Sequence, residues 1–474
     1  MGVLKKLFAD TAIYGLGSIV PRVFNFFLVP LHTRVFGPEA YGNITDAYGW
    51  MAILNVVLMF GMETAYLRFA SKEEGKNENV FHSAQTIVFG ITLSVLLTLL
   101  ALYLNGTLTI DFGNRNLLLY MVLTLFIDAA CALPFVRLRI MNRSRMFSFL
   151  KITNVVILVV LNLYFLTSKT ASPELVFLAN VAANAIYLIY FLPLLIRWRP
   201  KWSSELSPKM LGYAWPIMLT GLAGMTNEMF SRISIDNWLP KNFYDGQSAD
   251  YVQGVFGACY KFAILMSLLV QAFRMAAEPF FFKNAGEKNS PVLFAHVNHV
   301  FTTVAAFFMV AVCFNLNWLK YFVDQAYWSG LNIVPFLLLG YLFLGIYFNM
   351  SVWFKVTDRT IWGTVITFFG AGVTIGLNFL LIPHLGIMGS ALVTFLCYFS
   401  MTLFCYVVGQ RYYPVPYTLI RDFFTVFAGF AVAESFLLWG PEDDLEVLIS
   451  GFILTIVTAT ALWFIEKNKL VRKF

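Results

Sequence analysis

The sequence predicts an all-α integral membrane protein with about fourteen transmembrane helices, and three observations support this fold class. Hydrophobic residues make up 59% of the 474 residues and charged residues only 12%, which excludes a soluble globular protein of ordinary composition. The apolar residues fall in segments of about 20, the length at which a helix crosses the hydrocarbon core of a bilayer. The basic residues concentrate in alternate connections between these segments, as membrane topology requires.

Fourteen apolar segments follow one another along the chain, and polar or turn-forming residues separate them. Each segment is long enough to span the bilayer as a helix. In chain order the predicted spans are residues 11–34, 42–62, 81–104, 116–136, 147–167, 174–196, 211–235, 251–273, 292–316, 331–354, 361–383, 386–409, 419–440 and 446–465. Because the number is even, both termini lie on one side of the membrane.

The distribution of charge predicts which side that is. With both termini in the cytoplasm, 25 of the 33 Lys and Arg residues fall on the cytoplasmic side and five on the outside, which is the bias typical of inner loops. The basic loop 137–145 is the densest of these clusters, and we expect it to set the orientation and to contact anionic membrane lipids.

Other classes of site are not indicated by the sequence. The five cysteines lie in apolar segments without metal-ligand spacing, and the acidic run Glu442, Asp443 and Asp444 has no partner ligands nearby in the sequence. The basic residues form no stripe or tail of the kind that binds nucleic acid. We therefore expect no metal site, no cofactor, no catalytic group and no nucleic-acid partner.

A weak internal similarity predicts two pseudosymmetric six-helix lobes. The stretches 25–38 and 227–240 share an Asn, an aromatic residue and a terminal Pro at one offset. Six spans, an even number, precede the span that contains the second copy, so both copies would have the same orientation in the membrane. The predicted division is residues 1–200 for spans 1–6, 201–410 for spans 7–12, and 411–474 for two additional helices and a cytoplasmic tail. Chance similarity between apolar segments is the competing explanation.

Positive charges inside two spans are the main candidates for a functional site. Arg22 lies beside Pro21 near the middle of span 1, and Lys261 lies near the middle of span 8. A charge at the centre of a membrane helix costs about 2.5–3.5 kcal/mol on insertion scales, so such residues usually face a bundle interior or a wet cavity. The proline is expected to bend the helix beside the charge. Arg22 and Lys261 are therefore predicted to bind an anionic group of the substrate; the alternatives are a salt bridge to a buried acid such as Asp128, or snorkelling.

Further charged residues lie in spans 4, 7 and 13. Glu228, Arg232 and Asp236 follow one another at intervals of four, so they share one face of span 7. One possibility is that they neutralise one another, which lets the helix insert into the membrane. The other is that Arg232 supplies a third phosphate contact and Glu228 a titratable or cation-binding group, with Asp236 as a further candidate for ion coupling or ion pairing. Two other buried acids, Asp128 in span 4 and Glu434 in span 13, are candidates for proton or sodium coupling or for simple hydrogen bonding.

Three stretches of the sequence resemble a known family. They are DTAIYGLGSIVPRVFNFFLVPLHTRVFGPEAYG (10–42), GVFGACYKFAILMSLLVQAFRMAAEPFFF (254–282) and NFLLIPHLGIMGSALVTFLCYF (378–399). They are similar to spans 1, 8 and 11–12 of the polysaccharide-transport branch of the multidrug/oligosaccharidyl-lipid/polysaccharide exporter superfamily, the flippases for O-antigen and capsule precursors. Ser390, where the family commonly has Ala, is a small departure.

The resemblance implies a specific activity. It implies twelve to fourteen helices in two lobes, alternating access, and transport of undecaprenyl-pyrophosphate-linked oligosaccharide to the periplasmic leaflet of the bacterial inner membrane for lipopolysaccharide or capsule synthesis. Polysaccharide polymerases and assembly proteins would be its partners. In this interpretation Arg22, Lys261 and Arg232 hold the diphosphate.

Three other functions compete with this interpretation. A drug/cation antiporter of the same superfamily would rely on buried acids more than on bases. A lipid II flippase would work by almost the same physical mechanism as the flippase described above. A membrane-embedded polymerase or glycosyltransferase would be expected to show a large outer loop or a cluster of catalytic acids, and the sequence contains neither.

Overall fold

The structure, a computed structural model, describes residues 13, 15, 17, 19–72, 78–105, 115–168, 171–287, 289–441 and 444–470, and most of these residues lie in helices. The chain divides into two compact units, Met1–Ile233 and Ser234–Phe474. The predicted starts and ends that fall in the gaps, among them residues 11 and 12 of span 1 and the acidic residues 442 and 443, lie outside the described residues. The lobe boundary predicted at residue 200 stays a prediction.

The first unit contains a helical stretch at 19–27 and then the helices of the first seven predicted spans. These are α1 Val29–Val35, α2 Pro38–Met59, α3 Met62–Lys72, α4 Glu78–Leu104, α5 Arg115–Ile140, α6 Ser144–Leu166, α7 Pro173–Arg197 and α8 Leu206–Trp238, the last of which belongs to this unit as far as Ile233.

The second unit contains the helices of the remaining spans. These are α9 Ala249–Asn284, α10 Ser290–Phe314, α11 Val334–Met350, α12 Ile361–Leu385, α13 Ile387–Tyr412, α14 Leu419–Trp439 and α15 Asp444–Leu470. Short helices at Leu316–Leu319 and Val352–Val356 and two 3-10 turns, Lys320–Phe322 and Gln325–Ile333, lie between them.

The predicted fold class is confirmed. Within the described ranges, twelve helical stretches are long and apolar enough to cross a membrane, and each predicted span from 2 to 14 coincides with a helical stretch. The chain is therefore a multi-pass membrane protein. Helix α8, which matches span 7, is not among the twelve; it is 33 residues long and carries Glu228, Arg232 and Asp236.

The junction of α2 and α3 shows why a glycine is needed at one point of the first unit. Gly61 has φ +72°, and a Cβ atom there would lie 2.5 Å from the carbonyl oxygen of Ala214 in α8. Only glycine avoids both the conformational cost and the collision. Helix α8 also packs closely on α2, since Cβ atoms at Gly221 and Gly49 would lie 3.0 and 3.1 Å from side-chain carbons of Val56 and Ile233. Small residues thus let two membrane helices approach each other.

Helix α11 lies in the core of the second unit. It is apolar around its whole circumference, and nearly all of its residues are buried, as expected for a helix surrounded by other helices. Its Tyr341 shares a hydrogen bond with Tyr260 of α9, and the ring of Tyr398 in α13 contacts it at 5.8 Å between centroids. The core of this unit is therefore built from α9, α11 and α13.

Candidate functional site

Arg22 lies in the helical stretch 19–27 and is exposed on the surface of the protein. The helix continues through Pro21, and the bend expected there stays a prediction. The helix is interrupted at Leu28, and Pro30 sits in the first turn of α1. Because proline has no N–H, Pro30 cannot donate the helical hydrogen bond to residue 26, and this loosens the helix about two turns after Arg22.

The three charged residues of α8 differ in their surroundings. Arg232 is buried, with 7% of its surface exposed, Glu228 is half-buried and Asp236 is exposed. Arg232 belongs to the first unit and Asp236 to the second. The assignment of Arg232 to the substrate and of Glu228 to a titratable role stays a prediction.

Lys261 lies in the middle of α9 in the second unit and is half-buried. Arg22 and Arg232 belong to the first unit. The convergence of these three residues on one substrate site therefore also stays a prediction. Glu434 in α14 is half-buried, and its Oε1 has no hydrogen-bond partner among the described residues.

Asp128 is part of a polar chain that crosses three helices of the first unit. Its Oδ1 accepts a hydrogen bond from Asn184 Nδ2 at 2.9 Å, and Asn184 Oδ1 accepts one from Asn154 Nδ2 at 2.8 Å. The chain therefore links α5, α7 and α6 within an apolar bundle. Hydrogen bonding of this kind offsets the cost of placing amide and carboxylate groups in hydrocarbon.

Sequence reasoning missed the cation beside this chain. We counted Lys151 with the basic residues of a cytoplasmic loop, but it lies in α6, seven residues after the helix begins at Ser144, or about 10 Å along the axis. Its Nζ lies 4.2 Å from the ring centroid of Phe135 and 4.7 Å from that of Tyr187, within the range of a cation–π interaction. The spacing Lys151-x-x-Asn154 inside an apolar segment was the available signal, because it places both side chains on one helical face.

The second unit contains charged groups that pair directly. Glu278 Oε1 accepts from Arg274 Nε at 3.0 Å and from Lys355 Nζ at 2.6 Å, and the Arg274 guanidinium lies 4.5 Å from the ring centroid of Phe348. These side chains are partly exposed, at 23–43%.

A buried pair joins α10 to α14. The Nδ1 atom of His299 is hydrogen-bonded to Asp422 Oδ1, and both side chains are less than 10% exposed. Thr418, which precedes α14, donates to the same oxygen at 3.2 Å. We had not predicted this pair, because its partners are far apart in the sequence.

Solved structures with the same fold are transporters by their descriptions. The chain is similar to the lipid II flippase MurJ in an inward closed conformation, with a TM-score of 0.72, 13% identity and 98% of each chain covered. It is also similar to a multidrug resistance MATE family transporter in an inward-facing conformation, with a TM-score of 0.65, 12% identity, and 85% of this chain and 94% of that chain covered. For an outward-facing conformation the TM-score is 0.59, the identity 12%, and the coverage 86% of this chain and 95% of that chain. At this identity the likeness shows the fold alone.

Comparison at the level of sequence identifies the family. No curated protein matches the chain. The model of a polysaccharide biosynthesis protein family matches residues 7–285, which is more than half of the sequence. The chain thus belongs to the polysaccharide biosynthesis protein family.

Proposed function

We propose that this protein is a flippase that moves an undecaprenyl-pyrophosphate-linked oligosaccharide from the cytoplasmic to the periplasmic leaflet of a bacterial inner membrane by alternating access. Both termini would be cytoplasmic, and the product would enter O-antigen, capsule or exopolysaccharide synthesis. The protein would act as a transporter and not as an enzyme, with polysaccharide polymerase or assembly proteins as partners and proton or sodium movement as the driving reaction.

Family and fold together support a lipid-linked cargo. The family is one of polysaccharide biosynthesis, and the fold over 98% of the chain is like that of a flippase whose cargo is lipid II. A polysaccharide precursor carried on a lipid is the kind of cargo that agrees with both similarities.

The observation that carries the proposal is the exposure of Arg22 in the first predicted span. An arginine that stays charged within hydrocarbon is costly unless water or a ligand reaches it. A diphosphate that crosses about 30 Å of hydrocarbon needs cationic partners at mid-depth. Arg22, together with Lys261 and Arg232, would supply them, and the isoprenoid tail would stay in the lipid.

Flipping of a defined undecaprenyl-pyrophosphate oligosaccharide in proteoliposomes tests the proposal. We expect Arg22→Ala and Lys261→Ala each to slow flipping by about 10-fold to 100-fold, because each removes a charge-assisted contact of about 1.5–3 kcal/mol. Lys241→Ala is the matched control, since Lys241 is an exposed basic residue in the connection between α8 and α9. Thermal unfolding midpoints equal to that of the wild type would establish that the variants fold. Wild-type flipping rates in both variants would exclude the site.

A lipid II flippase is the second candidate, because MurJ matches the chain with a TM-score of 0.72 over 98% of both chains. Lipid II carries the same polyprenyl pyrophosphate group, so the cationic site would serve either cargo. Parallel assays with lipid II and with a lipid-linked oligosaccharide that lacks peptide separate the two. Faster flipping of lipid II would favour the second candidate.

A further inference from the structure

The connection from α7 to α8, residues 198–205, begins along the first turns of α4. Lys201 donates twice to that helix, from its backbone amide to Thr86 Oγ1 at 2.9 Å and from its ammonium to Asn79 Oδ1 at 2.6 Å. The two α4 residues are seven positions apart, so they lie on one face of the helix, two turns from each other. The connection is thus fastened to a single helix face.

His82 lies between these two residues on the same face of α4 and receives two further contacts from the connection. The indole N–H of Trp198 donates to the His82 carbonyl oxygen at 3.2 Å. The backbone N–H of Arg199 donates to His82 Nδ1 at 3.2 Å. The ring of Trp198 also packs edge to face on Phe89, one turn beyond Thr86, at 5.0 Å between centroids. His82 is therefore the residue at which the contacts of the connection converge.

The contact with Arg199 requires a neutral imidazole. A backbone N–H can only donate, so His82 Nδ1 accepts with its lone pair and the ring carries its proton on Nε2. A second proton would have to bind Nδ1, because the ring offers no other lone pair. Protonation of His82 and its hydrogen bond with Arg199 therefore exclude each other.

The charges around His82 act in the same direction. Glu78, one turn earlier in α4, attracts a proton to the ring, but it is exposed and lies 3.6 Å from the guanidinium of Arg137 in α5. Arg199 and Lys201 of the connection, together with Arg137, repel a positive charge on the ring. A protonated His82 would thus meet three cations and one carboxylate, and two of the cations belong to the connection itself.

Solvent reaches this contact. The His82 side chain is half-buried and Arg199 is exposed, so protons can exchange with the aqueous phase at this end of the first unit. The neighbouring Phe81 is buried, and its ring contacts that of Tyr66 in α3 at 5.9 Å. Tyrosine carries no charge at neutral pH, so this side of the site leaves the charge balance unchanged.

We propose that the connection between α7 and α8 is a pH-dependent switch, which neutral His82 holds on α4 and which protonation of its Nδ1 releases. Because the bound form excludes the second proton, acid shifts the equilibrium in one direction only, towards release. The connection leads directly into α8, the helix through which the chain passes from the first unit into the second. The start of that helix thereby responds to pH. The inference concerns this contact alone and does not depend on the cargo or the coupling ion of the transporter.

Hydrogen exchange of the full chain in detergent, read by mass spectrometry on the peptide that contains Arg199 and Lys201, tests the proposal. After correction for the intrinsic pH dependence of exchange, we expect protection of these amides to fall by about 3-fold to 10-fold, the net contribution of one hydrogen bond. The fall should occur between about pH 8 and about pH 5, the range in which an imidazole titrates. The amide of Arg359, which donates to the carbonyl oxygen of Phe354 at 2.8 Å, is the internal control. Its protection should stay constant, because a carbonyl does not titrate.

Two variants at one position complete the test. In His82→Asn the amide oxygen accepts from Arg199 but takes up no proton in this range, so protection should persist at both pH values. His82→Ala removes the acceptor, so protection should be low at both. The other four of the five histidines remain in each variant, which separates their titration from that of His82.

Two outcomes would overturn the proposal: equal protection of the wild type at both pH values, or a His82→Asn protein that keeps the pH dependence of the wild type. The comparison of these two proteins decides the matter even if the alanine variant does not fold. Because no cargo is present, a failure of the proposed flippase activity would leave the result unchanged.

Discussion

The two units solve the same physical problem, charge within an apolar bundle, in different ways. In the first unit the Lys151 ammonium is held by ring faces, and its acids lie outside ion-pair distance. In the second unit the acids contact their partners directly, Glu278 through Arg274 and Lys355, and Asp422 through His299.

This difference in partners, ring faces in the first unit and direct contacts in the second, determines how strongly each charged side chain is held. A direct pair gains Coulomb energy against a desolvation cost, fixes both side chains, and leaves a costly charge when one partner is lost. A cation against aromatic faces gains less, about 0.5–2 kcal/mol, and its acids remain available to other groups. We therefore expect the second unit to depend on its pairs for stability and the first unit to tolerate exchange at its cation.

Asp422→Ala should have the largest effect on stability, and it tests whether the second unit depends on its direct pairs. It removes the partner of a buried histidine and the acceptor of Thr418, so the free energy of unfolding should fall by about 3 kcal/mol. Thermal unfolding in detergent measures the change. Glu205→Ala is the control, because Glu205 forms only an exposed pair with Lys209; it should leave stability almost unchanged. An Asp422→Ala midpoint equal to that of the control would contradict the prediction.

Glu278→Gln should have an intermediate effect. It leaves Arg274 and Lys355 close together without their shared carboxylate, and because the cluster is partly exposed the cost should be about 1–2 kcal/mol. Lys355→Met removes one contact and leaves the Arg274–Glu278 pair intact. We expect it to cost less than Glu278→Gln in the same unfolding assay. The reverse order would show that the cluster is not organised around Glu278.

The coupling of Tyr187→Leu with a substitution at Lys151 should be the smallest of the three energies, and it tests how strongly the ring faces hold the ammonium. Its coupling with Lys151→Met in a double-mutant cycle should be about 1 kcal/mol, the energy of a cation over a ring face. Tyr187→Phe keeps the face and should show almost no coupling. Equal coupling for the leucine and phenylalanine variants would argue that the Tyr187 hydroxyl, and not its ring, holds the ammonium.

The spans were predictable from the sequence, but Lys151 was not. Hydropathy is a local property, so the predicted spans 2–14 coincide with helical stretches. Lys151 fell within the predicted span 147–167, but we counted it with the basic loop that precedes this span; α6, which begins at Ser144, contains it. Likewise, the sequence suggested a bend at Pro21 but did not indicate the interruption at Leu28, just before Pro30.

The sequence by itself determined that the chain crosses the membrane many times, because about 20 consecutive apolar residues have few stable environments other than hydrocarbon. It also identified which charged residues lie within spans 1, 4, 7, 8 and 13. Only the tertiary structure decided which charge meets which partner, since Lys151 and Tyr187, or His299 and Asp422, come together through the packing of separate helices. Periodicity defines a face of one helix, but the neighbour of that face is chosen by the fit of side chains across the bundle.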